Sequence, residues 1–366
     1  MDEKWRELRL GEVITLKRGY DLRTADRNQS GTVPVVSSSG ITGSHDEAKV
    51  QPPGVVTGRY GTVGEVYYLT EPFWPLNTTL YVRDFKGNDP YFIYYFLHII
   101  NFERFSDKTG VPGVDRNDLH RIRVSIPPLP EQRRIAEILD TWDQAITLTE
   151  RRIEAARQRK KDLMQRLLTG RMRFPEFEGE EWREVPLEDV AQVIMGQSPK
   201  SENYNEERSG LPLIQGNADI AGRKTAPKVY TSEVTKRCKP GDIILSVRAP
   251  VGDVALSVHN ACIGRGVCAV CARKADPDFL YQMLVSIESQ WDRYAQGSTF
   301  KAINSADIKR FRLKIPESRE EQRRIAAVLQ ACDREIELLI QKRDALQRQK
   351  MGLMQRLLTG RVRVKL

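Results

Sequence analysis

From Ile135 onward, apolar side chains fall at alternating steps of four and three: Ile135, Leu139, Trp142, Ile146, Ile153, Leu163 and Leu167, with Thr149, Ala156 and Lys160 filling the remaining steps. A second run keeps the same rhythm through Ile325, Leu329, Cys332, Ile336, Leu339, Leu346, Leu353 and Leu357, with Arg343 and Lys350 as its polar members. A stripe of that period, held over about five heptads, predicts two long helices paired along a seam. The rest of the chain is patterned differently. GVVTGRY, GEVYYLT, GDIILSV and GDVALSV are short β-rich runs cut by Gly and Pro turns. Apolar helices are expected after Asp89-Pro90 and Asp276-Pro277, with Asp as the cap and Pro in the first turn. The expected fold class is α+β: two mixed α/β domains joined by two long antiparallel coiled-coil helices, with a pseudo-twofold internal repeat.

The repeat is strict. Residues 131–174 and 321–364 are identical at 22 of 44 positions, with no insertion between them. One extra residue would rotate everything beyond it by about 100° and break the seam, so a paired rod requires constant length. Each helix, at about 39 residues, would span about 58 Å. Ser318 with Glu321 reads as a capping box, Pro130 as a first-turn proline, and Gly170 and Gly360 as left-handed stops. Lys160 and Lys350 on the seam read either as register-fixing polar residues or as snorkelling lysines. Short connections place the second helix antiparallel to the first, with one globular unit expected at each end. The boundaries drawn are 1–128, 129–172, 173–316 and 317–366.

The globular units repeat as well. WRELRLGEV at Trp5 is echoed by WREVPLEDV at Trp182, and Pro53, Gly54, Arg59 and Gly64 are echoed by Pro240, Gly241, Arg248 and Gly252. The stretches after Gly19 and Gly196 share little. A common scaffold with private loops suits recognition modules of different specificity.

Composition narrows the function. The chain of 366 residues carries a net charge of +9, and the repeated segments hold the surplus: 11 basic against 7 acidic side chains in 131–174, and 11 against 5 in 321–366. That charge reads as a phosphate track or as a solvated helix face. The charged start MDEKWREL and the shortness of YFIYYFLHII point to a cytoplasmic protein. Cys268 and Cys271 lie three apart in an alternating strand pattern, on opposite faces, and read as core and not as metal ligands. Asp89-Pro90-Tyr91-Phe92 lacks the second proline of an adenine-clamping motif. Gly58, Gly61 and Gly64 lack the Lys-Ser/Thr of a phosphate loop. No catalytic or metal residues are assigned.

Two divergent units separated by twin segments ending LMQRLLTGR resemble the specificity subunit of type I restriction–modification systems, over essentially the whole chain and most specifically at Pro130–Arg171 and Ser318–Arg361. The resemblance implies a non-catalytic subunit that binds double-stranded DNA. Each unit would be a target-recognition domain for half of a bipartite site. The helices would act as spacer and as docking surface for methyltransferase subunits, two being expected, with endonuclease/translocase subunits joining the complex. S-adenosylmethionine, ATP and Mg²⁺ would serve those partners, with no cofactor in this chain. A stand-alone DNA-binding regulator (or an anti-restriction mimic built on the same rod) and a self-contained adenine methyltransferase are the competing classes. The first would bind its site tightly alone and the second would bind S-adenosylmethionine.

Loop side chains suited to phosphates or base edges are the candidates for DNA contact. In the first unit these are Lys17, Arg18, Arg59, Tyr60, Lys108 and Thr109; in the second, Gln197, Ser198, Arg248, Gln296, Ser298, Thr299 and Lys301. For each, an ordinary surface or ion-paired role is the alternative. Arg59 and Arg248 are read as equivalent, which favours a scaffold or phosphate role for both. Off the seam, Ile138, Leu148, Met164 and Leu168, echoed by Val328, Leu338, Met354 and Leu358, widen the apolar stripe. They read either as packing against the recognition units or as the face a partner's helices cover.

Overall fold

The computed structural model describes residues 4–28, 30–105, 113–293 and 302–365. The chain divides into two compact units, Met1–Arg151 with Ile340–Leu366, and Arg152–Leu339. The elements that position the site are, in chain order, β1 (Thr15–Arg18), β2 (Gly54–Gly58), β3 (Val66–Leu69), β4 (Thr79–Asp84), α1 (Pro90–His98) and α2 (Leu129–Leu167). They continue with β5 (Ala191–Met195), β6 (Ile243–Ser246), β7 (Val254–Leu256), β8 (Val267–Ala272), α3 (Pro277–Ser286) and α4 (Arg319–Leu357).

Both unit boundaries fall inside the long helices. Unit 1 holds the start of α2 and the end of α4; unit 2 holds the end of α2 and the start of α4. The expected boundaries set the helices apart as segments of their own. The compact units do not, because each helix half is packed into a globular core. In unit 1, Ile135, Ala136 and Leu139 of α2 share a core with Leu357 of α4, with Leu358 just beyond it, and with Phe92, Ile93 and Phe96 of α1. In unit 2, Leu167 of α2 and Leu168 just beyond it join Ile325, Ala326 and Leu329 of α4 and Phe279, Leu280 and Met283 of α3. The start of one helix meets the end of the other in each unit, so the pairing is antiparallel, as the connection lengths predict. Burying each leucine, isoleucine, phenylalanine or methionine among them stabilises by about 1.5–3 kcal/mol.

The seam is unevenly buried. Ile135, Leu139, Ile146, Ile153, Leu167, Ile325, Leu329 and Leu357 are buried, whereas Trp142, Leu163, Ile336, Leu339, Leu346 and Leu353 are half-buried. Its lysines do not snorkel. Lys350 Nζ lies 2.5 and 2.7 Å from the Asp143 oxygens within unit 1, and Lys160 Nζ lies 2.6 Å from Asp333 within unit 2. Arg343, the other polar seam residue, pairs with Asp344 beside it at 2.6 Å. Gly170 and Gly360 take φ of 72° and 70°, the left-handed stop the sequence predicts. The capping box is only half made. Ser318 Oγ accepts from the Glu321 N–H at 3.4 Å, but the Glu321 carboxylate faces Arg173 and Trp182 instead of returning to the cap.

The principal sheets share one antiparallel plan, β1-β4-β2-β3 in unit 1 and β5-β8-β6-β7 in unit 2, where two further short strands extend it. In each unit a smaller sheet contains one parallel pair, Val33–Ser37 with Trp74–Pro75 and Leu211–Ile214 with Ala261–Ile263. Asp89 and Asp276 cap α1 and α3 as expected, each accepting two backbone N–H groups. The CxxC pair sits on β8. Cys268 is in the main core of unit 2 and Cys271 packs on a second cluster behind the sheet, so the opposite-face reading holds.

Candidate nucleic-acid interface

The two units end their sheets in the same backbone arrangement. In unit 1 the Gly19 N–H donates to the Thr79 carbonyl (3.1 Å), Tyr20 N–H to Pro75 (2.8 Å) and Arg59 N–H to Thr78 (2.8 Å). In unit 2 Gly196 donates to Val267 (3.0 Å), Gln197 to Ile263 (2.8 Å) and Val247 to Gly266 (2.9 Å). Glycine is required at the first of these positions. A Cβ on Gly19 would stand 2.1 Å from the Leu76 oxygen, and one on Gly196 2.0 Å from the Gly264 oxygen. Leu76 and Gly264 in turn donate at 2.8 Å to Val36 and Ile214 of the smaller sheets. These bonds pair Tyr20 with Gln197, Asp21 with Ser198, Ser37 with Gln215 and Asn77 with Arg265.

The same comparison corrects one expectation. Arg59 and Arg248 are not equivalent. Val114 N–H donates to Arg59 O and Ile303 N–H to Val247 O, both at 3.0 Å, while isolated bridges join Tyr60 to Gly113 and Arg248 to Ala302. Arg248 therefore occupies the position of Tyr60, and Arg59 that of Val247. The sequence comparison aligned like letters and was one residue out of register, so the shared scaffold role inferred for the two arginines lapses.

Chemically, the two ends differ. In unit 1 Arg18 is ion-paired with Asp21 at 2.9 Å, and the Asn77 amide donates to the same carboxylate. The Arg59 guanidinium lies 4.5 Å over the exposed Tyr60 ring and donates to its hydroxyl at 3.3 Å. Lys17, half-buried, reaches the Tyr20 hydroxyl at 3.5 Å. The hydrogen bond with Tyr81, followed by Lys17, draws the Tyr20 phenol below its usual range against the effect of burial. In unit 2 Ser198 Oγ accepts the Arg265 N–H at 3.1 Å, and Gln197, Arg248 and Arg265 are exposed. Among the described residues neither guanidinium of that pair has a hydrogen bond or ion pair. Lys108, Thr109, Gln296, Ser298, Thr299 and Lys301 lie outside the described residues. Asp21, Asn77, Gln215 and Arg265 were not singled out from the sequence, because only backbone hydrogen bonds reveal that they share an edge with the residues that were.

Two polar clusters also escaped the sequence reading. Glu131 and Glu321, the first letter of each EQRRIA, are almost wholly buried. Glu131 receives Arg363 at 2.7 and 2.8 Å and the Trp5 indole at 3.1 Å; Glu321 receives Arg173 at 2.9 and 2.7 Å and the Trp182 indole at 3.4 Å. The following glutamines are buried as well. Gln132 accepts the Asp89 N–H at 2.9 Å and Gln322 the Asp276 N–H at 2.7 Å, tying each long helix to the cap of α1 or α3. Their appearance in both copies was the available signal.

The off-seam apolar residues divide into three groups. Leu168 and Leu358 are buried in the cores of units 2 and 1 and are withdrawn from any partner surface. Ile138 and Met354 pack against the unit 1 core, and Met164 and Val328 against that of unit 2. Leu148 and Leu338 are exposed at 52% and 64%. In unit 1 a groove of ≈ 690 Å³ runs between α1 and the end of α4, lined by Tyr94, His98, Lys350, Met351 and Met354. Burial, then Lys350, holds the His98 imidazole below its ordinary value. Unit 2 has the corresponding groove, ≈ 820 Å³, between α3 and the end of α2. Among the described residues, no helix is long and apolar enough to cross a membrane.

Comparison with known proteins gives a consistent result. The family model for the type I restriction modification DNA specificity domain matches twice, over residues 2–158 and 179–348. The MjaX type I restriction enzyme specificity subunit of Methanocaldococcus jannaschii is 34% identical over 294 residues, covering 76% of this chain and 69% of that protein. A chain from a structural study of complex assembly and conformational transition in a type I R-M system is 25% identical with a TM-score of 0.64, covering 98% of both chains. The HsdS subunit from Thermoanaerobacter tengcongensis is 26% identical with a TM-score of 0.53, covering 99% of this chain and 98% of its own.

Proposed function

The chain belongs to the family of type I restriction–modification DNA specificity subunits, and from that premise we propose that each of its units reads one half of a bipartite duplex target on behalf of enzymatic partners. The single observation that carries this reading is one backbone edge built twice with different side chains. Phosphate contacts place a protein on DNA, and groups facing base edges specify sequence. A duplicated edge with Tyr20, Asp21, Tyr60 and Asn77 in one unit and Gln197, Ser198, Arg248 and Arg265 in the other suits two different half-sites.

The chemistry is assigned to partners: methyltransferase subunits using S-adenosylmethionine, and endonuclease/translocase subunits using ATP and Mg²⁺. The exposed Leu148 and Leu338, at matching places on α2 and α4, are the proposed docking points for two methyltransferase subunits. The fixed length of the twin helical segments suits a spacer between half-sites, because a change in length would alter both separation and rotational phase.

The experiment is co-expression of the full chain with a type I methyltransferase subunit in a methylation-free host, followed by methylome sequencing. A split motif with a fixed gap is expected. A purified chain that binds S-adenosylmethionine and methylates DNA alone would instead establish the self-contained methyltransferase.

A further inference from the structure

We propose that residues 60 and 77 of unit 1 and residues 248 and 265 of unit 2 are the same two specificity-determining positions, and that Arg248 and Arg265 make the half-site read by unit 2 dependent on guanine. The proposal rests on the reading that each unit reads one half-site. It adds which residues discriminate and which base one of the units demands.

Equivalence of the positions follows from strand register. In unit 1 β2 pairs with β4 through Val56↔Tyr81, Thr57↔Leu80 and Gly58↔Thr79. The line continues with the Arg59 and Tyr60 N–H groups, both on the Thr78 carbonyl, at 2.8 and 3.2 Å, which brings Tyr60 to the residue next to Asn77. In unit 2 β6 pairs with β8 through Leu245↔Cys268 and Ser246↔Val267, and continues with the Val247 N–H on the Gly266 carbonyl. Arg248 is thereby set across from Arg265. In both units this is where the central strand pair gives way to loops. The described chain rejoins it at Gly113 beside Tyr60 and at Ala302 beside Arg248.

A phosphate role would predict something else. The sugar–phosphate backbone is the same in every half-site, so a position that touched only phosphate would favour a cation in both units. Here unit 1 offers a phenol stacked under Arg59 and an amide engaged by Asp21, itself paired with Arg18. Unit 2 offers two exposed guanidiniums without a side-chain partner among the described residues. Elsewhere, where the repeats need the same contact, they keep the same residues, as at Glu131 and Glu321 or Lys160 and Lys350. Divergence of side chains on an edge whose backbone bonds are kept points to two different things being read. A free guanidinium presents a rigid fork of donors that matches the O6 and N7 acceptors of guanine in the major groove, the commonest specific contact of arginine.

The test uses the full chain with its methyltransferase subunit, comparing wild type with R248Q, R265Q, R248K and R265K by methylome sequencing and by binding to wild-type and scrambled duplexes. The expected wild-type motif carries guanine in one half. Each glutamine variant should lower methylation of that motif by about 10- to 100-fold and relax or recode a base in that half only. Each lysine variant should keep its affinity for scrambled duplex and still lose discrimination, because a point charge replaces the fork. Lysine variants that methylate the wild-type motif at the full rate would overturn the proposal in favour of phosphate contact. So would glutamine variants that leave both halves unchanged, or a wild-type motif without guanine. A wild-type complex that marks one undivided motif defeats the two-half-site reading itself, whereas a split motif indifferent to all four variants defeats only the guanine assignment.

Discussion

Unit 1 and unit 2 agree most closely in their buried polar contacts and least where they meet solvent. Each has a buried glutamate clamped by an arginine and an indole, a glutamine on a helix cap, and a lysine–aspartate pair between α2 and α4. In each of the ion pairs the partners come from opposite copies of the repeat: Glu131 with Arg363 and Asp143 with Lys350 in unit 1, Glu321 with Arg173 and Asp333 with Lys160 in unit 2. A change in one copy therefore strands a partner contributed by the other. The loop edge has no such cross-copy coupling, and there the two units differ at each of the five matched positions, 20/197, 21/198, 37/215, 60/248 and 77/265. The repeat keeps the four charges of these pairs, at 131/321, 143/333, 160/350 and 173/363, beside the ten apolar positions that the two copies also share.

The sharpest way to break that comparison is to remove one arginine at a time. Truncating one partner of a buried ion pair costs about 3–5 kcal/mol, because the remaining charge stays desolvated. Arg173→Ala should weaken unit 2 by that order, since the Glu321 side chain is fully buried and Arg173 is only 15% exposed. Arg363→Ala should weaken unit 1 by less, because Arg363 is 43% exposed and its loss lets water reach Glu131. Hydrogen exchange resolved by unit measures each effect separately, which a single unfolding midpoint would not. Both variants loosening the same unit would contradict the cross-copy assignment.

A smaller effect attaches to the lysines. Lys350→Met leaves Asp143 with the Tyr95 hydroxyl at 2.7 Å, and Lys160→Met leaves Asp333 with the Gln282 amide at 2.9 Å. Loss of a charged hydrogen bond of this kind costs about 1.5–3 kcal/mol. The two variants should therefore destabilise their units similarly in urea, and adding Asp143→Asn or Asp333→Asn should recover part of the loss. Variants more stable than wild type would show that the lysines act only in register and not in stability.

Much of this architecture was legible in the letters. The four-and-three rhythm gave both 39-residue helices, Gly170 and Gly360 gave their ends, and Asp89 and Asp276 gave the caps of α1 and α3. These are local signals, set by residues within a turn of one another. The ion pairs of the clamps join positions 148 to 232 residues apart along the chain, from Arg173 with Glu321 to Glu131 with Arg363, and no local pattern announces them. The register of the loop edge was lost for a different reason. Arginine was matched with arginine, whereas backbone hydrogen bonds match Arg248 with Tyr60. Identity of side chain guides alignment where packing fixes the residue, and misleads on a surface chosen to differ.

The smallest effect on stability is expected at Leu148 and Leu338. Both are exposed, so Leu148→Glu and Leu338→Glu should change unfolding free energy by no more than about 0.5 kcal/mol. Leu358→Glu provides the contrast, because that side chain is 1% exposed in the unit 1 core and a carboxylate there would be desolvated without a partner. If the exposed pair forms the proposed docking points, the double variant keeps its fold and no longer co-purifies with the methyltransferase subunit, and each single variant loses one of two copies. Native mass spectrometry of the complexes counts them directly. Undiminished association of the double variant would move docking from these two leucines to the grooves beside α1 and α3, where the units differ in lining and the two sites would no longer be equivalent.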